Sequence, residues 1–339
     1  MRIGIIGFGR AAQLHAEAWR RIEDVELLAA SDPSVDSLQT AEGIGLRPYS
    51  DAAEMISSEG LDAVSVCAPP AVHSAMAIEC LERGLHVLCE KPLALTTSDA
   101  RDMMRTASRV NRRLVLATKF RHVPDLIEAQ RLIASGALGD PISFEINFSS
   151  HVNMSNRWNS RPELAGGGVI VDNGCHALDI ASFLFGSVVR VQATSLKPVQ
   201  WLEVEDSATI QVHAANGVYG RVDLSWSLDT GQDSYVKVYG SEGVVEVGWK
   251  SSRIRRAGGD WKPLPGGRYD KVQAHVRMFR NFRDAVAVSG ETQPWISPVE
   301  CVRTVAAVEA AYRSLESCEW EAVETRVMPD FKRAVGARG

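Results

Sequence analysis

The chain has 339 residues, 45% of them hydrophobic and 23% charged, with a formal net charge of -5. That length suits two hydrophobic cores of ordinary size rather than one, and the charge balance lacks the broad basic field that nucleic acid or an anionic membrane would need. No apolar run reaches membrane-spanning length, and Met1 leads directly into an apolar strand rather than a basic leader, so the expected location is the cytoplasm.

The first predicted strand covers residues 2–6 and runs into Gly7-Phe8-Gly9-Arg10-Ala11-Ala12; a second over 25–30 ends just before Asp32. Further apolar runs at 63–68, 86–89 and 114–118 alternate with helical stretches. One of these, 71–83, sets Ala71, Ala75, Ile78 and Leu81 at near-helical spacing before Gly84. Continuous apolar strands separated by helices predict a parallel sheet covered on both faces, an α/β Rossmann arrangement. After residue 120 the pattern changes. A helix from Pro124 to Ala134 is followed by strands at 142–148, 188–194, 208–213, 217–225, 235–240 and 243–247, several joined by Asn-Gly or Ser-Glu-Gly turns. These predict an antiparallel sheet with one covered face. Helices return at 271–289 and 297–317, and the last twenty residues read as a strand and a loose tail. The expected organisation is a nucleotide-binding domain over 1–120 and a substrate-binding domain over 121–339.

Three segments carry chemistry. In Gly7-x-Gly9-x-x-Ala12 the first glycine permits a sharp turn, the second lets the backbone approach a pyrophosphate, and the small third residue lets the helix lie close on the sheet. Asp32 suits a ribose hydroxyl pair and would repel a 2'-phosphate, and no arginine follows at 33–37, which favours NAD over NADP. Glu90-Lys91-Pro92 closes the strand at 86–89, placing Lys91 at the carboxyl edge where ligands bind; the proline restricts the lysine backbone and can be cis. Gly166-Gly167-Gly168 precedes Asp172, His176 and Asp179 at helical spacings, so that Asp172 and His176 would share a helix face and the glycines would allow close approach to a ligand. The six cysteines and eight histidines show no metal-ligand spacing, so neither zinc nor disulfides are expected. Arg253 to Arg256 reads as a solvated loop or strand edge.

Candidate substrate contacts are Lys119, Arg121 and His122, and then Asn153, Asn156, Arg157, Trp158 and Arg161. Polar groups with an aromatic face suit a polyhydroxylated ring. Arg157 and Arg161 either receive a phosphate or carboxylate, or pair with nearby acids such as Glu163.

Over nearly its whole length the chain resembles the glucose-fructose oxidoreductase/inositol dehydrogenase/rhizopine-catabolism (Gfo/Idh/MocA) family. The resemblance rests on Gly7-x-Gly9-x-x-Ala12, Ala68-Pro69-Pro70-x-x-His73, Glu90-Lys91-Pro92, and Gly166-Gly167-Gly168 with Asp172-x-Gly174-x-His176. It implies a Rossmann domain followed by an α+β domain whose large, open, mostly antiparallel sheet forms a homo-dimer or homo-tetramer interface. It also implies Lys91, Asp172 and His176 as the catalytic set, with Pro69, His73 and Glu90 lining the cofactor cleft beside Ala68. The implied reaction is NAD-dependent oxidation of a secondary hydroxyl of a sugar, cyclitol or sugar derivative. His176 would be the base, Lys91 would stabilise the developing oxyanion and Asp172 would orient, with the first two roles interchangeable. Three alternatives are a ketosugar reductase, a redox-neutral NAD-dependent glycosidase and a non-catalytic NAD sensor.

Overall fold

In the computed structural model, which describes residues 1–287 and 293–324, the opening apolar run lies at the centre of a six-stranded sheet. Its strands are β1 (Arg2–Ile6), β2 (Glu26–Ser31), β3 (Arg47–Tyr49), β4 (Ala63–Val66), β5 (His86–Cys89) and β6 (Leu114–Leu116). They pair in the order β3-β2-β1-β4-β5-β6, and every pairing is parallel. This is the doubly wound order, with its switch point between β1 and β4. Between the strands run α1 (Arg10–Trp19), α2 (Val35–Gly43), α3 (Ala52–Glu59), α4 (Pro70–Glu82) and α5 (Thr97–Arg109). Side chains of Ser34, Asp51 and Thr96 cap α2, α3 and α5, accepting backbone N–H groups that the first helical turn leaves unpaired. Ile5, Phe8, Ala12, Ala16, Ala30, Ala41 and Leu46 form one buried cluster, so the glycine-rich turn is anchored in core on its inner side. β3 was not anticipated, because Arg47-Pro48-Tyr49 carries no apolar run.

The second sheet has nine strands: β7 (Pro141–Ser149), β8 (Val188–Ser195), β9 (Ser207–Ala214), β10 (Tyr219–Ser225), β11 (Ser234–Gly240), β12 (Gly243–Gly248), β13 (Arg253–Arg256), β14 (Lys262–Pro263) and β15 (Glu321–Ala322). The order is β14-β13-β12-β11-β7-β10-β9-β8-β15, and only β7 with β10 is parallel. Burial alternates along β7 and β9, as expected when one face is covered. Preceding or interleaved with these strands are α6 (Pro124–Ala134), the one-turn α7 (Pro162–Ala165) and α8 (Cys175–Phe185), and the last of these packs on β7, β8 and β9. The other face carries Glu145, Gln211, Arg221 and Lys237, all half-buried or exposed. Arg253 and Arg255 lie over the Trp261 ring, 4.2 and 5.0 Å from its centroid, which accounts for basic side chains on a strand near the sheet edge.

Two more helices, α9 (Lys271–Ala287) and α10 (Pro298–Ser317), follow β14. The chain divides into two compact units, Met1–Lys119 with Asp270–Cys301, and Phe120–Tyr269 with the chain from Val302 onward. Whereas the sequence reading cuts the chain once, after residue 120, α9 packs on α1: Phe279 stacks on Trp19 with centroids 4.3 Å apart and meets His15 edge-on at 4.7 Å. The last two residues of the expected 271–289 helix and the expected tail beyond residue 324 lie outside the described residues. Among the described residues no helix is long and apolar enough to cross a membrane.

Candidate active site

The turn from β1 into α1 explains its own glycines. Gly7 sits at φ +82°, and a Cβ there would come within 2.7 Å of the Ala68 nitrogen, so only glycine fits. Gly9 begins α1 with no side-chain cap, and a Cβ on it would meet nothing within 4 Å. Open space therefore lies before uncapped helix N–H groups, the condition for an anion site. Ala12 is fully buried, as the third fingerprint position requires, and Phe8 belongs to the core while Arg10 and Ala11 are exposed. At the end of β2, Asp32 accepts the Phe8 N–H at 2.6 Å through Oδ2 and the Ser34 N–H at 2.8 Å through Oδ1. The carboxylate is thus held beside the turn, where a ribose belongs if a dinucleotide lies across it. These residues fit a dinucleotide.

The loops after β4 and β5 are tied together by His73. Its Nε2 lies 2.8 Å from the Ala68 carbonyl oxygen and its Nδ1 2.8 Å from that of Pro92. Burial lowers its pKa, so near neutral pH one nitrogen donates at a time. Expected to line the cofactor cleft, His73 is fully buried and bridges the two loops. The Lys91–Pro92 peptide is cis. Glu90 Oε2 accepts the Lys91 N–H at 3.0 Å, and Oε1 lies 2.9 Å from Nε2 of His15, whose Nδ1 is 3.4 Å from Cys67 Sγ. Burial alone would raise the Glu90 pKa, but the hydrogen bond and charge of His15, with Lys91 and Lys119, outweigh it and hold the carboxylate well below its usual range.

His275 on α9 completes this cluster. Donor atoms of His15, Glu90 and His275 lie within 4.8 Å of one another, a grouping that could accept a cation. Hydrogen bonds already engage it: beyond those of His15, His275 Nδ1 donates to the Lys271 carbonyl at 2.7 Å. Burial, then His15 and Lys119, push the His275 pKa down to about 3. Neither histidine was singled out from sequence, because residues 15, 90 and 275 show no spacing that links them.

In the second unit, Asp172 lies on a π-helical turn, Ile170–Gly174, that runs directly into α8. The regular helix expected under Asp172 and His176 is therefore interrupted: Asp172 is on the π turn and His176 in the first turn of α8. Such turns recur at functional sites. His176 is mostly buried and meets Phe120 edge-on, centroids 5.1 Å apart. Of the glycine triplet, expected to make room for a ligand, Gly167 and Gly168 face protein and Gly166 is exposed. A Cβ on Gly167 would lie 1.9 Å from the Tyr312 hydroxyl and one on Gly168 2.1 Å from the Glu205 carbonyl oxygen.

Arg121 was expected at the substrate. It is instead 1% exposed, with Nε and Nη2 donating to the Asp179 carboxylate at 2.8 to 3.1 Å. It holds the 3-10 turn Lys119–His122 to α8, with His122 also buried. Asn153 is exposed, and its side chain accepts Ser155 N–H and hydroxyl hydrogens in a local turn. Asn156, Trp158 and Arg161 are exposed, and Lys119 and Arg157 half-buried.

Residues 1–118 match the family described as an oxidoreductase family with an NAD-binding Rossmann fold, and 126–246 match the GFO/IDH/MocA C-terminal domain. The chain belongs to the GFO/IDH/MocA oxidoreductase family. Within it, D-apiose dehydrogenase of Paraburkholderia graminis is 30% identical over 331 residues, covering 91% of this chain and 86% of that protein. Myo-inositol 2-dehydrogenase of Thermotoga maritima is 30% identical over 259 residues, 72% of this chain and 74% of its own. Among solved structures, GenD2 from gentamicin A biosynthesis in complex with NAD superposes with a TM-score of 0.84 at 25% identity, covering 96% of each chain. GFO/IDH/MocA membership accords with the doubly wound sheet, the Gly7 turn and the mostly antiparallel second sheet.

Proposed function

We propose that this GFO/IDH/MocA protein is an NAD-dependent dehydrogenase that oxidises a secondary hydroxyl of a sugar, cyclitol or sugar derivative. The observation that carries the reading is the Asp32 carboxylate fastened to the Phe8 amide beside the uncapped N-terminus of α1. The names of the 30%-identical relatives, an apiose and an inositol dehydrogenase, support the substrate class. When bound, NAD supplies the hydride acceptor. Residues Gly7, Phe8, Gly9, Arg10, Ala11, Ala12 and Asp32 hold it, with Ala68, Pro69, Glu90 and Lys91 beside it; the Asp32 charge disfavours NADP. A His176 imidazole nitrogen takes the hydroxyl proton, a step for which a positioned base contributes about 100- to 10,000-fold. Lys91 Nζ hydrogen-bonds the reacting oxygen and stabilises the negative charge that develops on it. Asp172 orients the hydroxyl and the imidazole, and Asn153, Arg157 and Trp158, with Lys119, contact the remaining hydroxyls.

The reading includes a cytoplasmic location, supported by Cys80, Cys89, Cys175 and Cys301 as buried thiols, and a homo-dimer or homo-tetramer built on the open face of the second sheet. Light scattering that returns the 37.0 kDa monomer at micromolar concentration would remove the second point. The main test is NAD and NADP reduction against inositols, free sugars, sugar phosphates and nucleotide sugars, with His176→Ala as control. Histidine-dependent NADH formation on one class is expected. Binding of NAD with no alcohol oxidised across the panel overturns the proposal, and turnover of ketone plus NADH in its place identifies a reductase.

A further inference from the structure

Behind the π-helical turn that carries Asp172 stands a carboxylate that the chemistry above does not use. Glu205, just before β9, accepts the Ile170 N–H at 2.9 Å and the Tyr312 hydroxyl at 2.8 Å through Oε1. The Gly168 N–H lies 3.1 Å from each of its carboxylate oxygens and 3.1 Å from the Tyr312 hydroxyl. The Glu205 main-chain carbonyl accepts the Val169 N–H at 3.0 Å. Three consecutive amides, 168 to 170, therefore converge on one residue. The next link is short, since Asp172 N–H donates to the Gly168 carbonyl at 3.0 Å.

Amides at the start of a helical segment have no partner within it and are ordinarily capped by a neighbouring side chain. Here the cap comes from residues 35 and more positions away, on the approach to β9 and on α10. A local cap would satisfy the same amides and leave the turn free to move as a unit. This cap couples the turn to two other elements, and Gly167 and Gly168 are the residues that let it close to contact. Burial raises the pKa of the Tyr312 phenol, with the Glu205 charge adding to it, so the hydroxyl stays a donor throughout the working range.

We propose that Glu205 and Tyr312 are positioning residues that set the placement of Asp172 through the amides of residues 168 to 170. The inference rests on the dehydrogenase reading of Asp172 given above. Its test uses Tyr312→Phe, which deletes one hydroxyl and keeps the ring, and Glu205→Gln, which keeps the shape and one acceptor oxygen. Two readouts are needed: amide hydrogen exchange over residues 168–172, and kcat, KM and NAD affinity. Faster exchange in that segment is expected, with kcat lowered about 10- to 100-fold, the range in which small misplacements act, and NAD affinity changed by less than about twofold. Unchanged exchange in Tyr312→Phe overturns the clamp itself. Faster exchange with kcat and KM at parental values, whatever the loss of thermal stability, overturns the positioning role and leaves a structural one. If the parent oxidises no polyol, the dehydrogenase reading falls and takes the catalytic consequence with it, while the exchange data still decide whether Glu205 and Tyr312 hold the turn. Should Glu205→Gln fail to fold, Tyr312→Phe decides alone.

Discussion

The buried pair Arg121–Asp179 separates a structural from a substrate-binding role in one experiment. Both side chains are nearly inaccessible, 2% and 3% exposed, and the guanidinium meets the carboxylate through Nε and Nη2 while lying 5.4 Å from the Phe183 ring centroid. Replacing one partner, as in Arg121→Leu, leaves the Asp179 charge in a low-dielectric interior without its guanidinium, and breaking such pairs costs about 3–5 kcal/mol. For a unit of this size that is a fall in Tm of roughly 6 to 20 °C. The double variant Arg121→Leu/Asp179→Leu removes both charges and should recover most of the loss, because two apolar side chains replace a pair whose attraction mainly offsets its own desolvation. Urea and thermal unfolding of the parent, Arg121→Leu, Asp179→Leu and the double variant gives the coupling energy directly. A cost below about 1 kcal/mol for Arg121→Leu, the range of exposed pairs, would refute the structural role. Unchanged stability with a raised KM would refute it too, since that pattern returns Arg121 to the substrate.

Asp32→Ser removes the carboxylate from the turn and should weaken NAD binding about 10- to 100-fold, the worth of charged hydrogen bonds, while narrowing the preference over NADP; titration calorimetry with both nucleotides measures this, and an unaltered NAD affinity would contradict it. His275 supplies a pH dependence. Its folded pKa of about 3 lies below the ordinary 6.5, so between those values the unfolded chain binds more protons and stability falls as pH falls. From pH 8 to pH 5 the loss from this group is about 2 kcal/mol. His86, lowered to about 4 by burial and then by Arg112 and Arg113, adds in the same direction, so the check is a comparison in which His275→Gln shows a shallower decline than the parent. Gly7→Ala forces a side chain onto φ +82° within 2.7 Å of Ala68 nitrogen, which should cost about 1–3 kcal/mol of stability and depress NAD affinity; a variant binding NAD like the parent would show that the turn can relax.

The amino-acid sequence determined the parallel sheet and the nucleotide turn, because both are written locally. Apolar runs of a few residues mark strands buried on both faces, and Gly7, Gly9 and Ala12 stand close together directly after the first of them, a spacing that is itself the signal. The strand-rich second half was legible for the same reason, through alternation that records one covered face. What the sequence left open depends on partners distant along the chain. His15, Glu90 and His275 join only because α9 returns to pack on α1, and Arg121 reads as a substrate contact until Asp179, 58 positions later, is seen to pair with it. Gly167 and Gly168 announced a close approach that the sequence reading assigned to a ligand, whereas Tyr312 and Glu205 are what they meet. The π-helical turn under Asp172 was hidden because periodicity describes side-chain spacing, whereas an extra residue in a helix is decided by which amides find acceptors. Here those acceptors are supplied by tertiary structure.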